Sequence, residues 1–199
     1  MILRARPLKI ADVLLLESLA FRDERGFLME IHRGSELSEL GIPQPFVQVN
    51  LSCSARGVLR GMHYQNPPAA QGKLVHVTQG QIFDVAVDLR RGSPTYANWV
   101  GRMLSDRTLQ SLYIPPGFAH GFCALEEHTQ VIYWMTCEYS PDHEAGLLWN
   151  DETVGVRWPL RRPTLSNRDA NLPLLHKADI RFVYQQDDPR SLSMDGGDS

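Results

Sequence analysis

Two histidines, a tyrosine, a lysine and two arginines stand in short segments of this chain that otherwise read as β-strands or turns. "GVLRGMHYQ" carries Arg60 and His63, and "GKLV" opens a strand on Lys73. "QVIYWMT" holds Tyr133 within an apolar run, and "PPGFAHGF" sets His120 behind a Pro116-Gly117 turn. "RDERGFLME" adds Arg25 and Glu30, while "FVQVN" adds Gln48 and Asn50, two apart and so on one face of a strand. A histidine and a tyrosine sharing one pocket would form an acid–base pair whose pKa values straddle neutrality. A lysine beside them could stabilise an enolate oxygen as charge develops. The arginines, lysine and histidines would suit a ligand rich in phosphate.

Taken singly, each residue has a plainer reading. A strand histidine is commonly a hydrogen-bonded structural residue, and a strand tyrosine a core or rim residue. An arginine before Gly-Phe is commonly a solvated turn residue. Taken together, they describe a barrel interior that would be costly unless its polar groups were paired or faced a ligand. "GVLRGMHYQ" sharpens the point. Strict alternation sends Leu59, Gly61, His63 and Gln65 to one face and Val58, Arg60, Met62 and Tyr64 to the other, and neither face is purely apolar. Gly61 can host a bulge or kink that brings both Arg60 and His63 inward.

The elements that must position these residues are mostly strands. Val13 to Leu16, Phe46 to Leu51, Val58 to Tyr64, Leu74 to Val77 and Ile82 to Leu89 carry strand patterning. Trp99 to Leu104, Gln110 to Ile114, Gly121 to Leu125 and Gln130 to Cys137 continue it. Turn chemistry separates them in "TQGQ", "RRGSPT", "LSDRT" and "PPGFAHG". Strands so closely spaced, without intervening helices, predict an all-β sandwich or barrel. One helix is expected at "SELSELG", with Ser35 as its cap, Leu37 and Leu40 on one face and Gly41 at its end. From about Pro159 the chain is Pro-rich and irregular, with short helical turns expected. The expected organisation is a single domain over residues 1–185, followed by a polar, mobile tail over residues 186–199.

With 199 residues and a formal net charge of −3, the chain is not patterned as a nucleic-acid or anionic-membrane binder, although a local basic pocket for a small anion remains compatible. The N-terminus has neither a bilayer-length apolar run nor the order of a signal peptide, so a cytoplasmic protein is expected. Cys53, Cys123 and Cys137 lack CxxC spacing and are expected to be reduced and mostly buried. No metal site is expected, because His63 is followed by Tyr64 and Gln65 rather than a second histidine, and His120 stands alone. No GxGxxG, no GxxxxGK[ST] and no nucleophile-elbow serine is present.

A set of longer motifs narrows the reading. "DERGF", "FVQVNLSCSARGVLRGMHYQ", "QGKLVHVTQGQIFDVAVDLRRGSPTYANWVG", "LYIPPGFAHGF", "YSPDHEAG", "LWND" and "LSNRDA" resemble, in order and spacing, the dTDP-4-dehydrorhamnose 3,5-epimerase family. The resemblance covers roughly residues 10 to 175. It implies a cupin-type jelly-roll barrel that works without metal or other cofactor, usually as a homodimer. The implied substrate is dTDP-4-keto-6-deoxy-D-glucose and the implied product dTDP-4-keto-L-rhamnose. By this resemblance His63 is the general base, Asp169 the carboxylate that orients it, Tyr133 the acid on the opposite face and Lys73 the group beside the enolate. Arg25, Glu30, Gln48, Asn50, Arg60, His120, Glu144 and Arg168 fall at sugar-nucleotide-binding positions. Phe21 and Tyr139 are candidate stacking partners for the thymine.

The chain departs from the family pattern at Trp134, where a lysine or arginine is usual after the acid tyrosine. It also departs at Arg168, where lysine is common, and at Glu138, where an aromatic is common. These departures bear on the shape of the nucleotide pocket. An epimerase acting only at C3 or only at C5 is the neighbouring alternative. A non-catalytic sugar-binding cupin and a metal-dependent cupin enzyme are the more distant ones. An apolar segment, "DVLLLE", offers itself as a contact across a subunit boundary.

Overall fold

Alternating apolar residues and frequent turns fold the chain into two stacked antiparallel sheets. A computed structural model describes residues 3–42 and 45–185, so the expected tail over residues 186–199 lies outside the described residues. Strands are numbered in chain order. The first sheet contains β1 (Leu3–Pro7), β2 (Leu14–Ser18), β5 (Gln48–Ser54), β7 (Lys73–Gln79), β10 (Gln110–Ile114) and β12 (Thr129–Met135), in the order β1-β2-β10-β7-β12-β5. The second contains β6 (Leu59–Gln65), β8 (Gln81–Asp88), β9 (Trp99–Ser105), β11 (Phe118–Ala124) and β13 (Glu144–Gly146), in the order β13-β6-β11-β8-β9. β3 (Ala20–Asp23) and β4 (Gly26–Met29) form a separate hairpin. The expected all-β jelly roll is the observed architecture.

Three apolar layers hold it together. Between the sheets, Leu15, Val75, Val77, Leu112 and Val131 meet Ile82, Ala86, Val100, Leu104, Phe118 and Phe122. The outer face of the second sheet carries Met62, Tyr64, Val85 and Val87 beneath Leu147, Ile180 and Phe182 of the C-terminal region. The outer face of the first sheet carries Leu16, Leu74 and Tyr113 beneath Leu37 and Ile42. Each large apolar side chain buried this fully stabilises the fold by roughly 1.5–3 kcal/mol over its exposed state.

Period-two alternation then places the polar residues. On β7, Val75 and Val77 face the interior and Leu74 the outside, so Lys73 shares the interior face. On β12, Val131 faces inward, and so does Tyr133, which packs on the same core. β5 aligns Asn50 with Tyr133 and Gln48 with Met135.

The short helix α1 (Gly34–Glu39) buries Leu37, but its N-cap is Arg33 and not Ser35, which lies inside the first turn. No side chain caps it; Gly41, at φ +82°, turns the chain away after its last residues. The expected turns near the C-terminus are α2 (Asn167–Ala170) and a 3₁₀ turn at Leu175–Lys177. The buried leucines of "DVLLLE" are used within the chain and are not free to pack on a partner. The segment's strand β2 is paired on both sides, with β1 and β10, and Leu15 and Leu16 are buried within the chain. Cys123 is buried and Cys137 partly so, whereas Cys53, on edge strand β5, is exposed. Among the described residues, no helix is long and apolar enough to cross a membrane.

Candidate active site

At one end of the space between the sheets lies a cavity of about 200 Å³, lined by Gln48, Asn50, His63, Lys73, Tyr133, Tyr139 and Glu144 among others. β5, β7 and β12 of the first sheet supply Gln48, Asn50, Lys73 and Tyr133; β6 of the second supplies His63. The cavity therefore has two walls carrying different chemistry.

His63 is tied to Asp169, with Nε2 and Oδ1 2.7 Å apart. Asp169 sits in the first turn of α2, where the Ser166 hydroxyl accepts from its N–H at 3.0 Å. The Gly61 N–H donates to Asp169 Oδ2 at 3.4 Å. Burial alone would raise the Asp169 carboxyl, but the His63 bond and charge, with Gly61 and Ser166, hold it below the usual carboxylate range. An ionised carboxylate can only accept, so Nε2 of His63 is the donor in this bond, which directs Nδ1 toward the cavity chemistry.

Lys73 Nζ donates to the His63 carbonyl at 3.4 Å. Burial pushes its ammonium down to about 8, against the opposing pull of Asp84 and Glu144. Behind it, His120 Nε2 and Asp84 Oδ1 lie 2.6 Å apart, with Asp84 fully buried and its Oδ2 without a partner among the described residues. Burial lowers His120, and the charges of Lys73 and His63 push the same way while Asp84 opposes them. Asp84 went unnoticed in "QIFDVAVD". The available signal was its alternation with Ile82 and Ala86, which puts a carboxylate in an apolar interior where it needs a partner.

A hydrogen-bonded rim closes one side. Arg168 Nη2 pairs with Glu144 Oε1 at 2.8 Å, and the Tyr139 hydroxyl donates to Glu144 Oε2 at 2.6 Å. The Tyr139 N–H donates to Gln48 Oε1 at 2.7 Å, and Gln48 Nε2 donates to Asn50 Oδ1 at 3.1 Å. Burial would raise the Glu144 carboxyl, but Arg168 and Tyr139 bring it below its ordinary value.

Other sequence candidates lie elsewhere. Gly61, at φ +115°, does distort β6, and the β6–β11 register shifts between His120 and Phe122. The distortion turns His63 into the cavity but leaves Arg60 exposed, bonded through Nε to Ser54 Oγ at 3.1 Å and through Nη2 to the Cys53 carbonyl at 3.2 Å. The expectation that both residues turn inward is thus corrected. Phe21 is exposed on the hairpin, Arg25 is paired with Asp23, and Glu30 with Arg33. None of the three lines the cavity. Trp134 faces the opposite side of its sheet from Tyr133, stacked 6.4 Å from His32, so that departure does not reach the cavity wall. Glu138 is exposed, and its carbonyl accepts from Gln65. Among the described residues, no three His, Cys, Asp or Glu side chains converge as a metal site would require.

Comparison with known proteins places this geometry. The family model for dTDP-4-dehydrorhamnose 3,5-epimerase matches residues 7–177. The dTDP-4-dehydrorhamnose 3,5-epimerase of Salmonella typhimurium is 49% identical over 171 residues, which is 85% of this chain and 93% of that one. The crystal structure of the Legionella pneumophila 3,5-epimerase in complex with dTDP-4-keto-L-rhamnose superposes with a TM-score of 0.89 at 41% identity, covering 92% of this chain and 99% of that chain. A 3'-monoepimerase from Streptomyces bikiniensis, in complex with dTDP-quinovose, gives a TM-score of 0.81 at 32% identity, covering 85% of this chain and 87% of its own. With a matched family model over most of its length and relatives of this similarity, the chain belongs to the dTDP-4-dehydrorhamnose 3,5-epimerase family of isomerases.

Proposed function

We propose that this epimerase inverts C3 and C5 of dTDP-4-keto-6-deoxy-D-glucose, giving dTDP-4-keto-L-rhamnose, with His63 as base and Tyr133 as acid. The observation that carries the assignment is the placement of the two groups. His63, held by Asp169, comes from one sheet and Tyr133 from the other, across a single cavity. A hexose ring between those walls presents opposite faces to them, and inversion requires a proton to leave one face and return on the other.

The C4 ketone makes the hydrogens at C3 and C5 acidic, because the carbanion is delocalised as an enolate. His63 Nδ1 takes the proton, and Asp169 stabilises the imidazolium that results. Lys73 meets the charge developing on the ketone oxygen. Tyr133 delivers a proton from the far side. No electron pair leaves the sugar, so nothing is oxidised overall. Gln48, Asn50, Glu144 and Tyr139 line the cavity and hold the sugar nucleotide, with Arg168 fixing Glu144 and His120 standing behind Lys73. In deuterated buffer, NMR of the sugar nucleotide should show solvent deuterium at both C3 and C5 of the product. Deuterium at C3 alone would reassign the chain to the monoepimerases, and its absence from both carbons would remove the catalytic reading.

Lys73→Ala should lower kcat by about a hundredfold to a thousandfold with little change in KM, as expected for a group serving only the developing oxyanion. Its ammonium is depressed to about 8. The cationic form is the useful one, so kcat/KM should fall as pH rises through about 8. An unchanged kcat in the variant would sink the role.

The working form is a homodimer in which Phe21, Arg25 and Glu30 of one protomer serve the cavity of its partner. Edge strand β5 exposes Val49 and Leu51, and the hairpin exposes Phe21, Phe27 and Leu28, a combination that favours association. Arg60, bonded to β5, lies beside the same edge. Sedimentation should give a dimer at micromolar concentration, and a monomer would count against this arrangement. A charged nucleotide sugar does not cross bilayers unaided, so the reaction is assigned to the cytoplasm.

A further inference from the structure

A larger cavity, about 620 Å³, shares no residue with the epimerase cleft. It is bounded by the connection between β1 and β2 at Leu8, Lys9 and Ile10, by β9, and by the stretch containing Val154 and Arg157. Residues 98–102 line it consecutively. A strand shows alternate residues to a face, so a consecutive run marks an edge. β9 is the edge strand of its sheet, and such an edge presents unpaired backbone N–H and C=O groups.

Lys9, Arg102 and Arg157 line this cavity, and no carboxylate does. Lys9 and Arg157 are exposed, with no ion pair among the described residues. Arg102 is half-buried. Its Nη2 donates to Gln110 Oε1 at 3.2 Å, and the Gln110 amide donates on to Glu17 Oε1 at 2.8 Å, while Arg102 Nε is buried without an acceptor and Arg102 makes no direct ion pair among the described residues. Asp84, its register partner on β8, forms no ion pair with it and is engaged by His120. A guanidinium held at an interior wall without an anion is an arrangement that an incoming oxyanion would complete.

We propose that this cavity is a second binding site that recognises a phosphate or diphosphate group on a small molecule. The basic side chains gather here although the chain as a whole carries a net charge of −3, so the accumulation is local. The volume falls within the range of small-molecule sites, roughly 300–1,000 Å³. Trp99 lines the cavity beside the charges and offers an apolar surface for the organic part of a phosphorylated ligand.

The test is calorimetric titration of inorganic pyrophosphate into protein whose cleft is already saturated with dTDP. One saturable equivalent per chain should bind. Lys9→Ala with Arg157→Ala, two exposed positions whose loss should not disturb folding, should weaken it at least tenfold, and Arg102→Gln should do the same. A parallel titration with ADP separates the sources of the group. Tighter binding than pyrophosphate assigns a nucleotide, and equal binding assigns the free anion. No saturable heat, displacement of the pyrophosphate by further dTDP, or unchanged affinity in the double variant would each overturn the proposal.

Discussion

His63→Ala should remove solvent exchange at C3 and C5 together, by about a hundredfold to ten-thousandfold, the range for loss of one acid–base group. Both carbons should fail, because the proposed mechanism takes both protons through the same nitrogen. Asp169→Asn is the graded control. An asparagine keeps the volume but can donate from its amide, so it no longer compels Nε2 of His63 to carry the proton. Exchange should fall less than in His63→Ala, and both carbons should fall in step. The measurement is deuterium incorporation by NMR on protein shown to be folded by circular dichroism. If His63→Ala retains exchange at either carbon near the parent rate, another base serves that carbon and the assignment is withdrawn.

Tyr133→Phe separates exchange from inversion. The base still forms the enolate and can return deuterium from its own side, so exchange survives in part while inversion is lost. The substitution is clean on structural grounds. The Tyr133 hydroxyl makes no hydrogen bond among the described residues, and its ring packs against the interior core, contacts that phenylalanine keeps. Stability should therefore change by less than about 1 kcal/mol. If Tyr133 were only a packing residue, inversion would continue nearly unchanged in the variant. That result would end its role as the acid.

Much of this was readable from the chain because strand patterning and turn chemistry are local. The apolar strands from Val13 to Cys137 announce themselves through alternation. β3 and β4 did not, since "AFRD" and "GFLM" leave most of their side chains exposed and carry no buried face. β13 has only three residues. The candidate acid–base residues stand out through residue type and family resemblance, but their grouping depends on pairing across two sheets, which no local pattern reveals. Arg60 shows the limit most clearly. Its distance from His63 along the chain invited a kink that would turn both inward. The kink exists, and its geometry sends only one of them there. Asp84 was hidden by the opposite fault, a charged residue inside an otherwise ordinary strand.

That kink also constrains how the enzyme can change over time. A Cβ on Gly61 would stand 2.7 Å from Gly121 Cα and from the His120 carbonyl, and one on Gly121 would stand 2.6 Å from Met62 Sδ and 2.8 Å from the Arg60 carbonyl. The two glycines exclude side chains from one another's strand, at the crossing that sets His63 beside His120. Neither can be replaced first, because each substitution meets backbone that the other does not release. A laboratory library aimed at a new sugar should therefore leave these two glycines in place and vary cavity positions away from them, such as Tyr139 and Glu144.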